Sequence, residues 1–417
     1  MATQFISLFV AALAAALAPL IARLIPNGLV PETVILLVAG AALGPYALGA
    51  IQLDESITMI SELGLAFLFL LAGYEINPRT LKSRQGKRGL VTWIATFGIA
   101  TLVILLSHTF SITHFDGIAV AIALTTTALG MLIPIMKERN LDGTETGEAM
   151  LAYGTWGEVC PIIAMALLLS SRSEWRTLLI LLAFMALCVV LAVIPARSRK
   201  VGSRVYRFLA SKRHTTSQTF VRAVVVLLIG LVTLSAVFGL DIVLGSFAAG
   251  FVLRFVIPEG SEELEAKLNA IGHGFLIPIF FVVSGAKINL TSIGDQPLLL
   301  AVFIVALLLV RAVPIVVAMS VGRGKSPLSP HNRITVALYC TTALPLIVAV
   351  TSVATNAGAL SQSTASVLVA AGAISVFLMP LLASLTYRVV DSNAPEGGGA
   401  KAANETGELL SGREEDR

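Results

Sequence analysis

The sequence predicts an all-α polytopic membrane protein, and three observations lead to that fold class. Of the 417 residues, 56% are hydrophobic and only 13% are charged, and the mean hydropathy is +0.88. A soluble domain would carry about 25% charged residues. The charges that are present lie in short islands between apolar stretches of roughly 20 residues, which is the length that crosses a bilayer core.

About thirteen transmembrane helices are predicted. The first apolar stretch has no basic region before it and is too long for the core of a signal peptide, so it is assigned as the first span. Residues 1–390 thus form the membrane domain, and the tail 391–417, rich in Gly, Glu and Ala, is predicted to be disordered. The predicted spans lie near 5–25, 30–50, 58–76, 89–107, 117–136, 147–170, 175–195, 221–239, 241–257, 271–289, 296–321, 333–356 and 364–387.

The basic residues predict the orientation of these spans. Most of them lie in the loops after the third, seventh and eleventh spans, whereas the alternate loops carry little beyond Arg172 and Arg176. Loops rich in Lys and Arg stay in the cytoplasm. We therefore expect a plasma-membrane protein with its N-terminus outside and its C-terminus in the cytoplasm.

Three short motifs occur twice, in the same order. The pairs are AGAAL (39–43) with AGFVL (249–253), AGYEIN (72–77) with SGAKIN (284–289), and TTAL at 126–129 and 341–344. Corresponding spans are seven apart, an odd number, so the second copy would be inverted across the membrane. The predicted halves are about 5–170 and about 221–387, joined by a linker helix at 175–195. Inverted repeats are typical of secondary transporters, which place their substrate site near the midplane on discontinuous helices.

The two copies of TTAL predict a break in each of two spans. Threonine hydroxyls bond backbone carbonyls and bend helices, while Pro345 removes a backbone donor and Gly130 weakens the helix at the matching place. We expect two crossed, partly unwound helices whose ends carry partial charges at mid-membrane. The threonines concerned are Thr126, Thr127, Thr341 and Thr342.

Two charged residues are predicted to lie near the bilayer centre. Glu158 is about 11 residues into its helix, hence roughly 16 Å deep in a core of ~30 Å. A carboxylate at that depth is costly unless it is paired, hydrated or protonated. Arg311 reaches a similar depth and stays charged, so it needs a partner, which would be Glu158, another carboxylate or the carbonyl end of a broken helix. Arg311 is expected to be a structural counter-charge, although a direct part in transport stays open.

The remaining residues give weaker signals. Glu145 and Glu148, at the cytoplasmic mouth of the sixth span, form either a funnel for cations or a solvated loop. The three cysteines lie in apolar segments and suggest neither a disulfide framework nor a zinc site, and the histidines lack metal-ligand spacing. There is no phosphate-binding glycine loop and no hydrolase triad. We therefore predict that the chain is not an enzyme and needs no cofactor, structural metal or nucleic acid.

Four segments resemble the signature segments of the monovalent cation:proton antiporter-2 family, which includes Kef-type potassium/proton and NapA-type sodium/proton exchangers. They are VPETVILLVAGAALGPYALGAI, ELGLAFLFLLAGYEINPRTL, LGSFAAGFVL and GFLIPIFFVVSGAKINL. The resemblance covers about residues 5–387. It implies a homodimer in which a core domain, with crossed broken helices beside an ion-binding helix, moves like an elevator against a dimerisation domain.

The resemblance also implies roles for individual residues. The ion-binding acid of the family falls on Glu158, the residue before it on Gly157, and the basic residue of the eleventh helix on Arg311. The family usually has Asp at the acidic position, preceded by Asp, Asn or Gln, so the pair Gly157-Glu158 departs from its pattern.

The expected function is exchange of a monovalent cation, Na⁺ or K⁺, for protons. Glu158 would bind one or the other in turn, and oxygens around Thr126, Thr127, Thr341 and Thr342 would complete the cation shell. Two alternatives remain, an ion-coupled symporter in which Arg311 binds an organic anion, and a non-transporting membrane sensor. The sequence does not separate Na⁺ from K⁺.

Overall fold

The structure is a computed structural model that describes residues 2–24, 30–76, 80–81, 83–106, 115–141, 143–169, 174–197, 219–257, 262–321 and 328–387. Every regular element in these ranges is helical, which confirms the all-α prediction. The tail 391–417 and the basic loop 198–218 lie outside the described residues, so the prediction of disorder stays a prediction.

The helices are numbered α1 to α16 in chain order. Two of them, α11 and α13, each contain one π-helical turn. The helices are α1 (Ala2–Leu24), α2 (Glu32–Leu43), α3 (Glu55–Glu75), α4 (Arg84–Leu106), α5 (Phe115–Leu124), α6 (Leu129–Glu138), α7 (Glu145–Leu168), α8 (Glu174–Arg197), α9 (Thr219–Val237), α10 (Ile242–Val256), α11 (Glu262–Ile271, Gly272–Leu276 and Ile277–Ala286), α12 (Leu290–Asp295), α13 (Pro297–Leu307, Leu308–Ala312 and Val313–Ser320), α14 (Pro330–Tyr339), α15 (Leu344–Asn356) and α16 (Gln362–Thr386).

Each of the thirteen predicted spans has a helix at its position in the described residues. Eight helices are long and apolar enough to cross a membrane, and α14 with α15 forms a ninth span that is bent by 41°. The other four positions hold shorter apolar helices, which lie at Glu32–Leu43, Gly117–Ile133, Leu178–Val190 and Ile242–Val256. The second is interrupted where α5 gives way to α6. The first is shorter than predicted because Gly44 precedes Pro45, and a residue before proline is disfavoured in helical conformation.

Among the glycines that bring helices into backbone contact, four do so in reciprocal pairs. A Cβ on Gly40 of α2 would lie 1.9 Å from the carbonyl oxygen of Val282 in α11, and one on Gly285 of α11 would lie 2.1 Å from that of Leu37 in α2. Helices α3 and α10 show the same exchange. Small residues at such contacts let helix axes approach closely in membrane proteins. In this second pair of contacts, a Cβ on Gly73 would lie 2.2 Å from the carbonyl oxygen of Phe247, and one on Gly250 would lie 2.0 Å from that of Leu70.

These contacts follow the motif alignment noted above. The spacing that relates Gly40 to Gly250 also relates Leu37 to Phe247, and the spacing that relates Gly73 to Gly285 also relates Leu70 to Val282. Each contact is therefore turned into another when the two halves are exchanged. A pair of halves with matching internal packing gives this pattern.

The two π-helical turns lie just before prolines. Pro278 follows the turn Gly272–Leu276, and Pro314 follows the turn Leu308–Ala312. Proline cannot donate to the carbonyl four residues earlier, and a π-helical turn is one way to accommodate the missing bond. Such turns are frequent at functional sites, and the turn Leu308–Ala312 carries Arg311.

Candidate ion-binding site

Both predicted helix breaks are present. The first comprises residues 125–128, between α5 and α6, and the second residues 340–343, between α14 and α15. The hydroxyl of Thr126 donates to the carbonyl of Ala123 at 2.7 Å, and Thr342 donates in the same way to Tyr339 at 2.8 Å. These bonds back to the preceding turn satisfy carbonyls that the ending helix leaves open.

The two breaks are bonded to each other. The amide of Ala128 donates to the carbonyl of Thr342 at 2.9 Å, and the hydroxyl of Thr127 donates to the carbonyl of Cys340. The amide of Thr127 donates to the carbonyl of Gly157 in α7 at 2.8 Å. The crossing of the breaks thus lies directly against the helix that carries Glu158.

Glu158 is buried at this crossing. Its side chain is 3% exposed, and its Oε2 accepts the amide of Leu129, the first residue of α6, at 3.3 Å. A helix N-terminus has free amides and a positive partial charge, which favour a carboxylate. No ion pair joins Glu158 to Arg311, both of which are described.

A cavity of about 60 Å³ lies beside the Glu158 side chain. Gly130 of α6 and Pro345 of α15 border it, so the starts of both helices that follow a break face the same space. Two further polar residues line it, Thr33 of α2 and His273 of α11. The Oγ1 atom of Thr33 is buried and has no hydrogen-bond partner.

Sequence reasoning missed Thr33 and His273. Each is the single polar residue of its own helix at this cavity, so no local motif marks it. No sequence signal marks the π-helical turn that contains His273, other than Pro278 just after that turn. Only the packing of α2 against α11, and of α11 against α3, brings them to Glu158.

The four predicted threonines are fully buried at the breaks. None of them lines the cavity beside Glu158, where the first break contributes Ala128 instead. Their hydroxyls donate to backbone carbonyls and so hold the shape of the breaks. Their role as oxygen ligands of a cation stays a prediction.

Arg311 is 1% exposed and reaches the crossing from α13. Its Nε and Nη2 atoms donate to the hydroxyl oxygen of Thr127 at 3.2 and 2.9 Å, and Nη2 also donates to the carbonyl of Tyr153 at 3.1 Å. The sequence predicted Glu158, another carboxylate or the carbonyl end of a broken helix as the partner of Arg311. A backbone carbonyl is among the partners found, but it belongs to Tyr153, which lies within α7 and not at a broken end. Gly157 lies against the same guanidinium.

Glu145 and Glu148 lie away from the crossing, in the first turn of α7. Glu145 is half-buried and Glu148 is exposed, and neither lines the cavity beside Glu158. Acidic residues in the first turn stabilise a helix through its dipole, and the Thr144 side chain caps this end by accepting the amide of Gly147 at 3.1 Å. Their role in a funnel stays a prediction.

Comparison with known proteins places this arrangement in a family. The model of a family described as "Sodium/hydrogen exchanger, transmembrane" matches residues 10–386. The chain belongs to the sodium/hydrogen exchanger family. This confirms the resemblance to monovalent cation:proton antiporters, and with its apolar helices it makes the chain a multi-pass membrane protein.

Two relatives of this member of the sodium/hydrogen exchanger family are named as antiporters and not as enzymes. A putative Na⁺/H⁺ antiporter YjbQ of Bacillus subtilis (strain 168) is 29% identical over 308 residues, which cover 69% of this chain and 48% of the relative. The chain thus spans about half the length of that relative. A probable Na⁺/H⁺ antiporter 3 of Methanocaldococcus jannaschii is 24% identical over 279 residues, covering 65% of this chain and 70% of the relative.

Solved structures show the same fold. The sodium proton antiporter MjNhaP1 from Methanocaldococcus jannaschii, at pH 8, matches with a TM-score of 0.64 and 16% identity, over 92% of this chain and 97% of that one. An electron microscopy structure of the same antiporter matches equally well, over 93% and 98%. At 16% identity, this likeness is evidence for the fold only.

Proposed function

We propose that the protein exchanges a monovalent cation, Na⁺ or K⁺, for protons, and that Glu158 binds the two in turn. The observation that carries this proposal is the Glu158 carboxylate, buried at the crossing with a single amide donor and bordering a cavity. An isolated carboxylate in such a place needs compensation for its lost hydration. Either a proton or a cation supplies it, and because the two compete for one group, their fluxes are coupled.

The surroundings of Glu158 are suited to a small cation. Alkali cations are bound by oxygens that replace their hydration shell. Thr33 offers a hydroxyl that nothing else engages, and Ala128 of the first break lines the same cavity. The names of the two relatives favour sodium as the cation, whereas potassium rests on the Kef-type resemblance alone.

Two cavities support alternating access. Besides the cavity beside Glu158 there is a larger one of about 320 Å³, and the two lie towards opposite ends of the same helices, α3, α11 and α15. The small cavity also borders the start of α2, and the larger one borders the turn after that helix. The small cavity is bordered by Thr33, Phe69, His273 and Pro345, and the larger one by Tyr46, Glu62, Lys287 and Asn356. With the N-terminus outside, the small cavity faces the cytoplasm and the larger one faces the exterior.

The remaining assignments complete this proposal. Residues 1–390 form two inverted halves joined by a linker helix, in the plasma membrane, with the C-terminus in the cytoplasm. The protein acts as a homodimer, as the family resemblance implies. The reciprocal glycine contacts support the repeat, and the basic loops support the orientation.

Vesicle transport tests the proposed function directly. In vesicles containing the purified protein and an imposed pH gradient, adding Na⁺ or K⁺ is expected to dissipate the gradient, and comparing the two identifies the cation. Vesicles without protein are the control. Absence of flux with any cation or anion would instead support a membrane sensor.

The organic-anion alternative makes a different demand on Arg311. An anion would need free donors on the guanidinium, and because its Nε and Nη2 atoms are already bonded to Thr127 and Tyr153, only Nη1 would remain fully available. Anion-dependent flux that is lost in Arg311→Gln would nevertheless favour the symporter.

Cysteine accessibility tests the two-cavity arrangement. In a variant without the three native cysteines, which are all buried, a membrane-impermeant thiol reagent is expected to modify Ser352→Cys from outside and Thr33→Cys from inside. Ser352 lines the larger cavity and Thr33 the smaller one. Gly98→Cys, on the exposed face of α4, is the control that neither side should modify. Modification of both sites from the same side contradicts the arrangement.

A further inference from the structure

Gly157 leaves room for a side chain that comes from another helix. A Cβ built on Gly157 would lie 2.1 Å from Nη2 of Arg311 and 2.5 Å from Oγ1 of Thr127. Real Cβ atoms do not approach other atoms so closely, so any side chain at 157 displaces the guanidinium. Since Arg311 is 1% exposed and its surroundings are closely packed, the guanidinium cannot move aside into solvent.

The guanidinium at this place holds one hydroxyl. Thr127 has a single hydroxyl proton, which it donates to the carbonyl of Cys340, so its oxygen is left to accept from Arg311. One hydroxyl therefore joins α13 to both breaks. The bonds from Arg311 are charge-assisted and hence stronger than neutral ones.

A short stretch of backbone links the position of Thr127 to Glu158. The amide of Thr127 is bonded to the carbonyl of Gly157, and two residues later the amide of Leu129 donates to Glu158 Oε2. A displacement of Thr127 therefore moves the amide that the carboxylate uses. Arg311 forms no hydrogen bond or ion pair with Glu158, so its effect on the carboxylate would pass through this path.

We propose that Gly157 and Arg311 together are positioning residues for the start of α6, with Gly157 providing the space and Arg311 filling it to fix Thr127. This goes beyond the proposed function because it names the residues that hold the Leu129 amide in place beside Glu158. It rests on that function only for the effect on cation binding.

A double-mutant cycle tests the proposal with Gly157→Ala, Arg311→Gln and the double variant. In the wild-type background, Gly157→Ala is expected to raise the half-saturating Na⁺ concentration by about tenfold, a size common for coupled neighbours, and to lower the thermal unfolding midpoint. In the Arg311→Gln background the same change should cost less, because the contact with Nη2 is gone and only the contact with Thr127 remains. Arg311→Lys, which also lacks Nη2, provides a second background in case Arg311→Gln does not fold.

Gly98→Ala in α4 is the matched control, because a Cβ there meets nothing within 4 Å. Additive effects of the Gly157 and Arg311 changes on the unfolding midpoint would overturn the proposal, and this readout does not depend on transport. A lower midpoint with an unchanged half-saturating Na⁺ concentration would overturn the positioning role. If the wild type exchanges no cation, the proposed function fails instead, while the unfolding cycle still tests the contact.

Discussion

Replacing Glu158 by glutamine is expected to abolish cation-driven proton exchange. The amide has nearly the same shape, and its oxygen can still accept the Leu129 amide, so the fold should be retained. It binds no proton near neutral pH and carries no charge to balance a cation. Flux in vesicles under a pH gradient should therefore fall to that of vesicles without protein.

The control for this variant is Glu55→Gln, which makes the same change on an exposed residue at the start of α3. It should exchange like the wild type. Both variants should also unfold close to the wild-type temperature in detergent. Exchange by Glu158→Gln at the wild-type rate would remove Glu158 from the mechanism, even if the protein proves to be an antiporter.

Gly40→Ala is expected to have the largest effect on stability among single methyl additions. The new Cβ would lie 1.9 Å from the carbonyl oxygen of Val282, and backbone cannot move aside as a flexible side chain can. Overpacking of this kind costs about 1–3 kcal/mol or more. Gly250→Ala, at the matching position of the second half and 2.0 Å from the Leu70 oxygen, should have a similar effect. The measurement is the thermal unfolding midpoint of the purified protein.

Gly230→Ala in α9 and Gly98→Ala in α4 are the matched controls, since a Cβ at either position meets nothing within 4 Å. They should unfold at or slightly above the wild-type temperature, because alanine favours a helix over glycine. If Gly40→Ala were as stable as these controls, the close contact between α2 and α11 would be wrong.

Sequence reasoning found the helices and the breaks because both depend on local signals. Long apolar stretches mark the spans, and the repeated TTAL marks the two places where helices end and restart. Depth along a helix was sufficient to predict that Glu158 and Arg311 are buried, as both are. The breaks and the two buried charges could thus be predicted from each span taken by itself.

The partners of these charges could not be predicted in the same way. Arg311 binds Thr127, which is distant in sequence, and the contact depends on how α13 is rotated and on the missing side chain at Gly157. Thr33 likewise reaches the cavity only through the packing of α2. A glycine that matters because of the space it leaves, such as Gly157, changes neither the hydrophobic periodicity nor the composition of its helix.

The reciprocal glycine contacts have a mechanical consequence. Where a backbone carbonyl rests directly on a glycine, no side chain lies between the helices that could change rotamer to absorb a shift. A Cβ on Gly64 of α3 would likewise lie 2.3 Å from the carbonyl oxygen of Leu276 in α11, which joins the two pairs, so α2, α3, α10 and α11 are expected to move as one rigid body. Any motion that carries Glu158 from one side to the other must then take place by sliding along surfaces where flexible side chains intervene, with this four-helix body as the stationary frame.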